Sequence, residues 1–179
     1  IGGGPYTNSY FVVGAGGSSN NWITIATKRD SFTDPKIQVK GFNLNGYQWI
    51  KITGVKDTNW PLPYPGALRT NLALLTNNIG LQITHPDQGA TSQGIYVNAN
   101  QWVEWTEFGP IGADVNTNAW DCFGIRFLNL TTNGNWTIRG NWFHDIKNDD
   151  INLNAITGQN PGTFDATVIE HNYLQGGGD

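Results

Sequence analysis

Short apolar strings recur along this chain, each alternating with polar residues and each bounded by Asn, Gly, Asp or Pro. Trp22-Ile23-Thr24-Ile25, Ile37-Gln38-Val39, Trp49-Ile50-Lys51-Ile52 and Gly80-Leu81-Gln82-Ile83 lie in the first half. Gly94-Ile95-Tyr96-Val97, Trp102-Val103-Glu104-Trp105, Gly124-Ile125-Arg126-Phe127, Trp136-Thr137-Ile138, Ile151-Asn152-Leu153 and Val168-Ile169 follow. Alternation over three to five residues is the period-two signature of strands with one buried face. No stretch carries the 3.6-residue period of an amphipathic helix, so the pattern predicts an all-β protein.

The strings resemble one another at a nearly fixed spacing. Trp22-Ile23-Thr24-Ile25 returns as Trp49-Ile50-Lys51-Ile52, and the run from Trp136 to Phe143 returns as Thr167 to Leu174. An interleaved series places Ile95, Ile125 and Ile151 in one phase. The steps are about 26–31 residues, and two interleaved series mean at least two strands per repeat. A single repeat cannot bury its inner face, whereas stacked repeats bury a continuous core. The expected architecture is therefore a parallel β-helix spanning residues 21–179, after a turn or linker segment at 1–20. Recurring Asn suits the corners, where it tolerates left-handed backbone and can bond from one coil to the next. Proline-rich Asn59 to Gly66 and the stretch Gly158 to Gly162 are expected loops. The last strand is followed directly by Gly176-Gly177-Gly178-Asp179. Solenoid ends need a cap, so the chain is expected to continue or to be covered by a neighbouring subunit. A β-sandwich would also give short alternating strands, but not a pattern recurring at similar spacing.

Composition narrows the partners. Charged residues make up 13% of the chain and the net charge is −4, with no basic run to neutralise phosphates, so a general nucleic-acid binder is excluded. No apolar stretch approaches the roughly 20 residues of a membrane span. Gly and Asn, at 23 and 22 residues, favour turns over helices. Cys122 is single, which rules out an internal disulfide and points to a buried thiol.

The segment Asn135-Trp136-Thr137-Ile138-Arg139-Gly140-Asn141-Trp142-Phe143-His144-Asp145-Ile146, with Asp149-Asp150-Ile151-Asn152-Leu153 after it, resembles coils of right-handed parallel β-helix proteins of the pectate-lyase-like superfamily. Val168 to Leu174 resembles the next coil, and Ile23-Thr24-Ile25 and Gln48 to Val55 resemble earlier ones. The resemblance covers most of the chain from about residue 20. It implies a right-handed helix and a setting outside the cytoplasm: secreted, on a cell surface or in a virion. It implies a polysaccharide partner, bound and in some members cleaved. Lyases, hydrolases, epimerases, tailspikes and inert surface proteins share the pattern, so the resemblance specifies fold more than activity. A non-catalytic structural or adhesive module is the alternative.

Enzymes of this group use a Lys or Arg base on a flat parallel sheet, with acidic residues holding Ca²⁺ against a uronate carboxylate. Carried onto this chain, the candidate bases are Arg139 and Lys51, and the candidate calcium ligands are Asp145, Asp149 and Asp150. These acids equally suit a solvated turn. Arg139 and Glu170 hold equivalent places in matched coils and would stack about 5 Å apart as an ion pair. Glu104 and Glu107 flank Trp105, a carboxylate pair beside an aromatic, and otherwise read as ordinary outward positions. Eight tryptophans exceed what one core needs. Sugar-stacking candidates are Trp60 and Tyr64 in the proline-rich loop, together with Trp105, Trp142 and Tyr173.

Overall fold

A computed structural model of the chain describes residues 5–27, 36–54, 79–85, 91–97, 100–112, 121–127, 135–147, 149–152 and 166–175. These residues form strands and turns, with no helix among them. The strands fall into successive triplets. The first is β1 (Phe11–Val12), β2 (Ile23–Ala26) and β3 (Ile37–Val39), and the second is β4 (Phe42–Asn43), β5 (Ile50–Thr53) and β6 (Leu81–His85). The third is β7 (Thr91–Val97), β8 (Gln101–Glu104) and β9 (Thr106–Ile111), and the fourth is β10 (Asp121–Phe127), β11 (Asn135–Arg139) and β12 (Trp142–His144). The fifth is β13 (Asp149–Asn152), β14 (Ala166–Glu170) and β15 (Tyr173–Gln175).

Each triplet gives one strand to each of three sheets. Sheet I has the order β1-β4-β7-β10-β13, sheet II β2-β5-β8-β11-β14 and sheet III β3-β6-β9-β12-β15. The pairing is parallel throughout these ladders, from Ile23↔Ile50 in sheet II to Phe143↔Leu174 in sheet III. The expectation of an all-β chain with parallel strands holds. The repeats matched in the sequence also stand in register: Ile95↔Ile125↔Ile151, and Trp136↔Thr167.

Two expectations change. Steps between register partners are not confined to 26–31 residues: Gln38 bonds Gln82 across 44 positions, and Arg139 bonds Glu104 across 35. The long step passes through residues 55–78, which lie outside the described residues. The segment 1–20 is also more than a linker. Its Tyr10-Phe11-Val12-Val13 run supplies β1, where Phe11 pairs with Phe42 and stacks on its ring at 5.8 Å. An apolar run of this kind gains more by adding to a sheet edge than by staying in water.

Alternation decides which side chains enter the core. Ile50, Ile52, Val103, Trp136 and Ile138 from sheet II meet Val39, Ile83, Phe108 and Phe143 from sheet III and Phe42, Ile95, Cys122 and Ile125 from sheet I, all fully or nearly fully buried. Like residues line up from triplet to triplet, and the Phe108 and Phe143 rings stack at 4.7 Å, only 7° from parallel. Cys122 is fully buried, as expected.

The corner between sheets II and III repeats as Gly54, Trp105, Gly140 and His171. Backbone bonds carry the ladder through it, Gly54 N donating to Glu104 O, Trp105 N to Arg139 O and Gly140 N to Glu170 O. Trp105, Gly140 and His171 are left-handed there, with φ of 52°, 62° and 55°. Gly140 is required twice over: its φ favours glycine, and a Cβ would come within 3.0 Å of the Trp105 six-membered ring. Just past the corner, Asn141 and Asn172 form the bonded stack anticipated for asparagine. Asn141 Nδ2 and its backbone N both donate to Asn172 Oδ1 at 3.0 Å, while Asn141 Oδ1 accepts from Thr106 N at 3.0 Å. Asn141 Nδ2 also reaches Val103 O, and Asn172 Nδ2 reaches Ile138 O.

Candidate functional site

The corner places two polar clusters on the outer faces of adjoining sheets. Alternation along β8 turns Val103 inward and Glu104 outward. The left-handed turn at Trp105 resets the phase, so that Thr106 and Phe108 face in while Glu107 faces out. One carboxylate therefore stands on sheet II and the other on sheet III.

On sheet II, Glu104 is only 3% exposed although it points away from the core. Three donors from three strands cover it. Lys51 Nζ lies 2.7 Å from Oε1, and Arg139 Nε and Trp102 Nε1 donate to Oε2 at 3.0 and 2.8 Å. Lys51 on β5 and Arg139 on β11 also lie over the Trp102 ring, 4.4 and 4.8 Å from its centroid. Trp22 meets that indole edge-on at 6.1 Å. The two residues expected as bases are thus brought together, but as cations sharing one carboxylate. A guanidinium held in an ion pair with a carboxylate has no lone pair to offer and is a poor proton acceptor. The expected Arg139–Glu170 pair is corrected in the same way. The two residues are register partners, yet the guanidinium bonds buried Glu104, while the exposed Glu170 carboxylate lies 3.8 Å from His171. The buried anion has the greater need of a counter-charge.

On sheet III, Glu107 sits in an outward row with Gln38, Gln82, Trp142 and Tyr173, register partners from five successive strands. Gln38 Nε2 donates to Gln82 Oε1 at 2.8 Å, and Gln82 Nε2 to Gly109 O at 2.8 Å. Glu107 pairs with Lys36 through Oε2 and lies 3.2 Å from His144 Nε2 through Oε1. The other imidazole nitrogen, Nδ1, is 2.8 Å from Asp145 Oδ2. The imidazole stacks on Trp142 with centroids 4.1 Å apart and planes 27° from parallel, and Lys36 Nζ is 5.5 Å from the centroid of the Trp142 ring.

Burial of the His144 ring works against its charged form, but hydrogen bonds and charge from Glu107 and Asp145 outweigh that and raise its pKa above the ordinary value. A raised folded-state pKa stabilises the fold fully below the unfolded value of about 6.5, and that contribution is lost as pH rises through the folded value. Thermal melts of the native chain and His144→Gln should therefore differ most on the acid side of about pH 6.5 and converge at alkaline pH. A gap that widens with rising pH would contradict this ionic arrangement.

The remaining expected residues separate. Trp105 is buried at the corner beneath Gly140, two positions after inward Val103, and it offers no face to a ligand. Trp60 and Tyr64 lie outside the described residues. Asp145 follows β12 of sheet III and its carboxylate faces His144, whereas Asp149 and Asp150 open β13 of sheet I. Among the described residues no three His, Cys, Asp or Glu side chains converge as a metal site would require. Trp102, Lys36, Gln38 and Gln82 were absent from the sequence candidates. The signal for Trp102 was its place two residues before Glu104, on the same strand face. Gln38 lies 44 residues before Gln82 and Lys36 lies 71 before Glu107, so neither gives a comparable signal.

No protein-family profile, curated protein or solved structure matches this chain. Among the described residues no helix is long and apolar enough to cross a membrane.

Proposed function

We propose that the chain belongs to a right-handed parallel β-helix of the pectate-lyase-like kind, working outside the cytoplasm, and that it binds a polysaccharide along the outer face of sheet III. The observation that carries this reading is the row Gln38, Gln82, Glu107, Trp142 and Tyr173. Parallel strands repeat every ~4.8 Å, so a linear polymer laid across them meets amide and aromatic side chains at a regular interval, with the covered Glu107 between them. Amides bond sugar hydroxyls, and aromatic faces stack on sugar C–H surfaces. The allocation of Lys51 and Arg139 to Glu104 favours binding over lyase chemistry on sheet II.

A polysaccharide panel, acidic and neutral, run by affinity electrophoresis with and without calcium tests this. One or more members should retard the native chain, and Trp142→Ala with Tyr173→Ala should weaken that binding at least about tenfold, the loss of some 1.4 kcal/mol. Release of unsaturated products, read by ultraviolet absorbance, would add cleavage to the reading. A panel with no retardation would remove its basis.

The second reading, a structural or adhesive module of a virion, fibre or cell surface, is favoured by one observation. Ile169 and Leu174 continue the inward rows of sheets II and III, yet they are 43% and 57% exposed. Either a neighbouring subunit or further strands of a longer chain, stacked on β14 and β15, would cover them, and the first is what this reading requires. Concentration-dependent assembly in sedimentation would support this reading, and a strict monomer would count against it.

A further inference from the structure

The Trp142 indole is only half buried, yet what it offers to a ligand is covered. The imidazole of His144 lies against the ring at 4.1 Å, and the Lys36 ammonium lies 5.5 Å from the indole centroid. The indole N–H is shut off from solvent and has no hydrogen-bond partner among the described residues. A buried donor without an acceptor is costly, because it has lost water and gained nothing. The covering groups are well held. His144 bridges Glu107 and Asp145, Lys36 bonds the other oxygen of Glu107, and Gly109 lies so close beneath the imidazole that a Cβ would reach 3.2 Å from its Cγ. The register partner of His144 on β15 is Gln175, which is neutral.

We propose that His144 is a displaceable latch on Trp142: the imidazole occupies the stacking face until a sugar residue takes its place, and the freed indole N–H then donates to an oxygen of that sugar. This rests on the polysaccharide reading above and assigns the residue that controls access to it. The asymmetry of the cluster supports the assignment. Asp145 is exposed and turns on left-handed backbone, so its hold on Nδ1 competes with water. Glu107 keeps Lys36 when the imidazole leaves, so the buried carboxylate is not stranded. The closed state leaves an unsatisfied donor that the open, occupied state would satisfy.

Two measurements on the full chain test the latch separately from the binding reading. The first needs no sugar. With 5-fluorotryptophan incorporated and the Trp142 signal identified by Trp142→Phe, a soluble gadolinium chelate reports exposure of that indole. His144→Ala should raise the relaxation of this signal at least about twofold, and so should His144→Gln, which retains a polar side chain near Glu107 but has no ring. The second uses cellohexaose and a galacturonate hexamer as probes, and both variants should bind whichever is retained more tightly than the native chain by about three- to tenfold. Unchanged Trp142 exposure in both folded variants overturns the latch. Increased exposure with neither probe bound by any form keeps the latch as a cover and counts against the polysaccharide reading. Increased exposure with equal or weaker binding overturns the claim that the sugar competes with His144.

Discussion

Gly54→Ala is expected to destabilise the chain by more than about 4 kcal/mol, a fall of about 10 °C or more in Tm for a protein of this length. An ideal Cβ at position 54 would stand 1.8 Å from the carbonyl oxygen of Trp105, 2.9 Å from its carbonyl carbon and 3.3 Å from Leu81 N. All three are backbone atoms of neighbouring strands or the corner between them, so no rotamer change relieves the clash. The ladder from Gly54 N to Glu104 O must open instead. Gly46→Ala is the control. Its φ of 78° carries the ordinary penalty for a side chain in left-handed backbone, about 1 kcal/mol, but nothing lies within 4 Å of the added methyl. Thermal melts followed by circular dichroism should separate the two clearly. Equal melting of Gly54→Ala and the native chain would mean that the corner is not packed as described.

Asn141→Ala is expected to cost about 3 kcal/mol. The side chain is fully buried and serves both neighbouring triplets. Its removal leaves Thr106 N–H and Val103 C=O without the partners they have here, and takes one of two Asn141 donors from Asn172 Oδ1. Each buried group left unpaired costs about 1–3 kcal/mol, less where water enters the space. Asn172→Ala should cost less, because Asn172 is only partly buried and water can reach the groups it leaves. Urea unfolding of the two variants gives the order. Asn172→Ala as harmful as Asn141→Ala would show that burial does not set the scale at this corner.

Much of the strand pairing was legible in the sequence because identical physical demands recur. Inward positions need branched apolar side chains, so Ile95, Ile125 and Ile151 revealed their own register, as did Trp136 to Phe143 with Thr167 to Leu174. Asparagine at the corner was legible for the same reason. The site was less so. Period-two reading fails just past Trp105, where one left-handed residue resets the phase and keeps Glu107 outside, although unbroken alternation from Val103 would turn it inward. The burial of Glu104 and Glu107 depends on cations from other strands. One of these, Lys36, lies 71 residues before Glu107, beyond the reach of local pattern. Composition cannot show that His144 covers Trp142, since that depends on ring geometry and on two carboxylates holding the imidazole.

The central claim is that successive strand triplets align equivalent side chains along the outer face of sheet III. Paired cysteines at Gln38 and Gln82 test it most directly, because these register partners lie 44 residues apart in sequence on adjacent parallel strands. Such Cα atoms stand about 5 Å apart, within the range a disulfide spans. Under mild oxidation, the Gln38→Cys/Gln82→Cys chain should form the intramolecular cross-link in high yield, identified by peptide mass mapping. The offset pair Gln38→Cys/Ile83→Cys, with its second cysteine on the core face, should not. Failure of the first pair, or equal cross-linking of both, would contradict the alignment on which the proposed binding face depends.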